Sequence, residues 1–313
     1  MNRRSAVLKL LAAGAGFVCA GEGAVPDRIE NDDAQIFRSE VRLVLLDVAV
    51  KDHRGAFVTG LTKSDFHVVE DGRRQPITVF DRSDRPVTVG ILVDESRSMT
   101  PKRDATLAAA EIFIRQSNSD DEMSVLNFNG RIRPGLPEGT PFSGNLAALR
   151  AALHRGIPEG KTALNDAVVE GLEHLKLGTR DRKALIVISD GGDNASKHKR
   201  AEVLDLVARS TATIYSVGLY DVEDADRDPG ILRRFAALTG GEAYFPQSLD
   251  EMEPICRGIA TEIRNRYTIG YVPHEGTRAV RHIRVSASSR SLGKLTVHTR
   301  NSYRYDTDEH KAG

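Results

Sequence analysis

Around residue 87 the spacing of apolar side chains sets up a strand. Val87, Val89, Ile91, Leu92 and Val93 form a run with the length and β-branched content of a buried strand, and the run stops at Asp94. Comparable runs recur at 123–128, 184–189 and 213–217, with a short one at 243–245. Between them the apolar spacing is helical: Ala105, Ala108, Ala109 and Ile112 fall at i, i+3, i+4 and i+7. Helical spacing also covers 146–153, 163–175, 201–209, 231–238 (closed by Gly240-Gly241) and 249–265. Strands alternating with helical segments predict an α/β unit over 84–266. Its sheet is doubly wound and mostly parallel, Rossmann-like, with helices on both faces.

The flanks follow a different period. In 39–83, Val44, Leu46, Val48 and Val50 share one face of a strand, and Leu43 and Leu45 give cover on the other. A short connecting turn is expected at 61–66. Residues 66–70, the pair Asp71-Gly72 and residues 77–80 read as a hairpin. In 267–306, Tyr267, Ile269 and Tyr271 alternate, followed by Ile283, Val285 and Ala287 and then by Leu295 and Val297; 307–313 is a tail. Neither flank has enough strands to stand alone. The expectation is one β-sandwich built from both flanks, with the α/β unit inserted between them.

The first 20 residues carry a different message. Arg3, Arg4 and Lys9 make a positive head, Leu10 to Ala20 an apolar core, and Val18-Cys19-Ala20 a small-residue cleavage site. This predicts an export signal over 1–20, a linker over 21–38 and a periplasmic or secreted protein. Arg3-Arg4 also fits a loose twin-arginine pattern. Cys19 raises lipid attachment as a minor reading, against which the bulk of Val18 argues. Cleavage would leave Cys256 as the sole cysteine, so no internal disulfide is expected. Its helical neighbours Ile255 and Ile259 make it a small buried hydrophobe rather than a nucleophile. Lys plus Arg balance Asp plus Glu at 44 each, and Trp is absent, so nothing recruits nucleic acid. No later stretch is apolar for long enough to span a bilayer, so the mature chain is expected to have no transmembrane helix.

Candidate chemistry gathers where the strands end. In a doubly wound sheet the ligand crevice lies beyond the C-terminal strand ends, where strand order reverses. The first strand ends at Asp94, with hydroxyls following at Ser96 and Ser98; the 184–189 strand ends at Asp190. If these strands are neighbours, the two carboxylates face each other. Thr162 precedes a helix and reads as its cap, with its hydroxyl towards the crevice. Two carboxylates and three hydroxyls, Asp94, Ser96, Ser98, Thr162 and Asp190, suit a hard cation, with Mg²⁺ first and Mn²⁺ or Ca²⁺ as alternatives. A competing reading has Asp94 capping the following helix, the serines satisfying turn amides and no metal bound.

Asp94-Glu95-Ser96-Arg97-Ser98, the isolated Thr162 and Asp190 resemble the metal-ion-dependent adhesion site of a von Willebrand factor type A domain. The likeness extends over about 86–265. The flanks, VLLDVAVKDHRGAFVTGLTKSDFHVVEDG and YTIGYVP, resemble exported von Willebrand type A-related proteins of acidobacteria. The resemblance implies that Ser96, Ser98 and Thr162 bind a metal directly, and that Asp94 and Asp190 do so directly or through water. It further implies a coordination position left open for an Asp or Glu carboxylate from a protein partner. Two departures stand out: Arg97 replaces a Gly often found there, and Glu95 adds an acid. Arg97 either clamps the incoming carboxylate or faces solvent, paired to Glu95.

Other candidates carry less. Asp221 to Asp228 (DVEDADRD) lacks the Gly and terminal Glu of an EF-hand and reads as a solvated loop. The nine histidines show no ligand spacing, and no G-x-S-x-G or Walker motif is present. The expected function is therefore an exported, metal-dependent protein-binding module and not an enzyme. The alternatives are a divalent-metal-dependent hydrolase or phosphoryl-transfer enzyme and a scaffold with a non-functional site. Phosphoryl transfer from Asp94 typically wants a second acid two residues on, where this chain has Ser96.

Overall fold

A computed structural model describes residues 43–305 other than 117, 119, 220–226, 275 and 277. The expected export signal, the linker, most of the 221–228 acidic loop and the tail lie outside the described residues. The chain opens with β1 (Val44–Lys51), β2 (Phe66–Glu70), β3 (Arg73–Gln75) and β4 (Val79–Asp81). The α/β portion follows as β5 (Val87–Asp94), α1 (Arg103–Gln116), β6 (Glu122–Phe128), β7 (Ile132–Pro134), α2 (Leu146–Leu153) and α3 (Leu164–Leu175). It continues as β8 (Arg182–Ser189), α4 (Arg200–Arg209), β9 (Thr213–Gly218), α5 (Pro229–Thr239), β10 (Ala243–Tyr244) and α6 (Leu249–Arg264). The chain then returns to β11 (Tyr267–Tyr271), β12 (Val280–Ala287), β13 (Thr296–His298) and β14 (Ser302–Arg304).

The central sheet runs β10-β9-β8-β5-β6-β7 and is parallel apart from the β6–β7 pair. Every residue of β5 is buried, which is why the strand reads as a nearly unbroken apolar run. On one face Val89, Ile91 and Val93 join the core with Phe113 and Ile114 of α1 and Ile259 of α6. On the other, Leu92, Leu185 and Val187 pack with Val168 of α3, Val203 of α4 and Phe235 of α5. The chain leaves β5 for β6 on one side and later returns to β8 on the other. Strand order thus reverses at β5, and the fold opens its crevice between β5 and β8.

Both flanks contribute to two further four-stranded sheets, β13-β1-β11-β4 and β14-β12-β2-β3. Each contains strands from before and after the α/β portion. Leu46, Val48, Phe66, Val68, Tyr267, Ile269, Tyr271, Ile283 and Val285 form one buried cluster drawn from both sheets. The rings of Phe66 and Tyr267 lie 5.0 Å apart within it, a productive aromatic spacing.

The hairpin differs from its expectation. Asp71-Gly72 does make the turn, with positive φ at both residues (47° and 85°), as a tight primed turn requires. Its second strand is the polar Arg73-Arg74-Gln75 and not 77–80, with Glu70 opposite Arg73. A two-residue turn forces pairing to begin at once, so the partner strand was hidden by its polarity. After Pro76 the chain crosses to the other sheet, where Phe80 pairs with Ile269.

The sandwich meets the α/β portion through buried charge. Arg266 donates to Glu262 Oε1 (2.7 Å), Tyr215 Oη (3.0 Å), the Gly240 carbonyl (2.7 Å) and the Asp47 carbonyl (3.2 Å). Lys51 of β1 pairs with Glu242 and lies 3.3 Å from Glu262 Oε2. Cys256 is buried, and burial pushes its thiol up to about 12, consistent with an inert core position. Among the described residues no helix is long and apolar enough to cross a membrane.

Candidate metal centre

β5 and β8 are parallel neighbours with Val93 opposite Ile188, so their C-terminal ends bring Asp94 and Asp190 together. Both carboxylates are buried, at 2% and 1% exposure. Asp94 Oδ1 accepts from the Ser96 amide (2.9 Å), and its Oδ2 accepts from the Ser189 hydroxyl (2.6 Å). Asp190 Oδ1 accepts from the Gly192 amide (2.9 Å), and its Oδ2 accepts from the Ser98 hydroxyl (2.5 Å). Ser96 Oγ and Ser98 Oγ are 3.1 Å apart. Four of the five expected residues, Asp94, Ser96, Ser98 and Asp190, therefore form one hydrogen-bonded cluster.

The competing capping reading holds for one atom only. Asp94 Oδ1 does accept a turn amide, but the serine hydroxyls bond each other and Asp190 rather than backbone N–H groups. The following segment is a 3₁₀ turn, Arg97–Lys102, before α1 begins.

Thr162 is buried on the loop before α3, and it is not the cap expected of it. The cap position is Ala163, which makes no side-chain capping bond. The helix amides are answered from across the crevice instead: Asn165 N–H donates to Asp193 Oδ2 (2.7 Å), and Asp166 N–H to Ser196 Oγ (3.0 Å). Asn194 grips Thr162 itself. Its Oδ1 accepts the Thr162 amide (3.0 Å), and its own amide donates to the Thr162 carbonyl (2.9 Å). The loop after β8 thus does the capping, and the Thr162 hydroxyl is released from that duty.

Glu95 is buried and its Oε2 accepts from Arg103 Nε (3.2 Å), while Arg97 is exposed. The Arg97–Glu95 pairing, one of the two alternatives for Arg97, is corrected: Arg103, the first residue of α1, meets the Glu95 carboxylate instead. Several positioning groups escaped the sequence reading: Ser189, Asp193, Asn194, Ser196 and Arg103. Only Ser189, next to Asp190 at a strand end, left a local signal. The acidic loop contributes one described carboxylate, Asp228, which caps α5 through Ile231 N–H (3.0 Å) and pairs with Arg200.

The electrostatics are lopsided. Burial, followed by the charge of Asp190, pushes the Asp94 carboxyl up to about 7, against the hydrogen bonds from Ser189 and Ser96 that favour the anion. Neither Asp94 nor Asp190 has an ion-pair partner among the described residues. No group of three or more His, Cys, Asp or Glu side chains is placed to hold a metal there either. That excludes a carboxylate cage or imidazole site among those residues and leaves the mixed set of two carboxylates and neutral hydroxyls. Buried like charges with all-oxygen surroundings fit a hard divalent cation.

Residues 89–192 match the family model described as the von Willebrand factor type A domain, a span that includes all five candidate residues. The central unit has the fold of a von Willebrand factor type A domain. A von Willebrand factor type A structure from Catenulispora acidiphila is 14% identical, with a TM-score of 0.51 over 88% of this chain and 76% of that one. That likeness shows the fold. An uncharacterised protein of Synechocystis is 26% identical over 169 residues, 53% of this chain. The match spans only 39% of that relative's length. The BatB protein from Bacteroides thetaiotaomicron is 16% identical, with a TM-score of 0.45 over 57% of this chain and 98% of that one.

Proposed function

We propose that the protein is an exported interaction module whose type A domain docks an acidic residue of a partner protein on a divalent cation, Mg²⁺ by preference. Domains of this type serve as protein-interaction modules, and this chain keeps the oxygen ligands such docking needs. Asp94, Ser96, Ser98, Thr162 and Asp190 would hold the ion. When bound, the ion supplies a hard positive centre with affinity for a carboxylate. The residues do the rest: the three hydroxyls would add no further negative charge, and the Ser96 and Gly192 amides and the Ser189 hydroxyl fix the two carboxylates. The observation that carries this reading is the pair of buried carboxylates, Asp94 and Asp190, with no basic side chain to answer them among the described residues. The apolar core and basic head of residues 1–20, and the likeness of the flanks to exported acidobacterial proteins, support export.

Capture from an envelope extract tests the docking. Partner retained in Mg²⁺ should elute with EDTA and should not be retained by Asp94→Ala. Retention that ignores both EDTA and the substitution would end the proposal.

A further inference from the structure

Glu95 sits between the proposed ligands Asp94 and Ser96, yet its side chain serves a different contact. Its Oε2 accepts from Arg103 Nε (3.2 Å), while its buried Oε1 has no hydrogen-bond partner among the described residues. The carboxylate is pressed against Gly156, so closely that a Cβ built there would fall inside it. Arg103 Nη2 donates to the Gly156 carbonyl (2.8 Å), so one guanidinium ties the residue 95 carboxylate to the loop between α2 and α3. Two backbone bonds run beside it: Glu159 N–H to the Glu95 carbonyl (2.9 Å) and Arg97 N–H to the Gly160 carbonyl (3.2 Å). Thr162 lies two residues further along that loop.

A loop that needed only packing would place an apolar side chain at 95, because a buried carboxylate with an unanswered oxygen is costly. We infer that Glu95, Arg103 and Gly156 form a positioning clamp that sets how closely Thr162 approaches Ser96 and Ser98, and so tunes the proposed cation site. The clamp rests on the metal reading above. It makes the glycine at 156 obligatory, since any side chain there displaces the Glu95 carboxylate.

Mg²⁺ titration calorimetry on the intact protein, paired with thermal melts in EDTA, tests the clamp. Gly156→Ala and Glu95→Ala should each weaken Mg²⁺ binding by about 10- to 100-fold, as loss of supporting groups around a metal does. Arg103→Lys keeps the charge but cannot hold both oxygens, and should lose less while melting in EDTA close to wild type. The double variant Glu95→Ala/Gly156→Ala should bind no worse than Glu95→Ala, because the collision is gone. Wild-type binding with the single variants unchanged, or losses that add in the double variant, would overturn the clamp alone. A wild type that takes no Mg²⁺ would overturn the metal reading and the clamp together.

Discussion

Two clusters of buried charge, at different places in this molecule, have been treated in opposite ways. At the seam with the sandwich, Glu262 is fully buried and is met by Arg266, Tyr215 and Lys51. Burial pushes its carboxyl up, but Arg266 and Lys51 outweigh that and hold it below its ordinary value. At the crevice, Asp94 is equally deprived of water and faces a second anion instead, so its carboxyl is pushed up to about 7. One cluster is electrically closed and cements two layers. The other is left uncompensated among the described residues, and in the proposed function a cation completes it. Burial alone therefore does not mark a candidate site; burial without compensation does.

The comparison can be broken most severely at the seam. Arg266→Ala should destabilise the protein by about 3–5 kcal/mol in urea unfolding, because Glu262 is left buried with the Tyr215 hydroxyl and a single cation, Lys51. A loss below about 1 kcal/mol would show that the seam charges are not what closes it. At the crevice, Mg²⁺ at about 100 times its Kd should add roughly 2.7 kcal/mol to the wild type and nothing to Asp94→Ala.

A matched pair of changes sharpens the contrast. Glu262→Gln should cost about 1–3 kcal/mol, whereas Asp94→Asn in EDTA should stabilise the protein at pH 8 by about 1 kcal/mol. Equal signs for the two would remove the distinction. The pH dependence follows from the same shift. Between about pH 4 and 7 the folded protein without cation holds a proton on Asp94 that the unfolded chain has released. This contribution is complete below the unfolded pKa of 3.8 and is lost as pH rises through about 7. Melts in EDTA should therefore show the wild type losing ground to Asp94→Asn as pH rises from 5 to 8, and Mg²⁺ affinity should rise over the same range. The smallest effect is expected at Arg97, which is exposed: Arg97→Ala should leave Mg²⁺ affinity within about twofold. Weaker partner binding in that variant would assign Arg97 to the incoming carboxylate.

Much of the site was readable from residues alone. Asp94, Ser96 and Ser98 are close in the chain, and an apolar run ending on an acid marks a strand's exposed lip. Thr162 and Asp190 were placed by the ends of a helical and a strand pattern. The role given to Thr162 was not readable. Its capping duty is taken by Asp193 and Ser196, which come from a different loop. Nor is the partner of Glu95 readable: the chain offers the nearby Arg97 as one candidate, but Arg103, further along the chain, meets it. In the flank, three polar residues after Asp71-Gly72 formed a strand that no apolar alternation announced.

Periodicity reports the surroundings of one element at a time, so residue order settled the apolar strands and the helices of the α/β portion and where those strands end. It carries no record of which strand ends become neighbours or which oxygen is left without a donor. Those outcomes arise from contacts between groups as far apart as Asp94 and Ser189, or Lys51 and Glu262, and they were fixed when the sheets closed on their cores. Folding brought two acids to one crevice and left their charge unanswered among the described residues, a physical condition that no single segment of the chain contains.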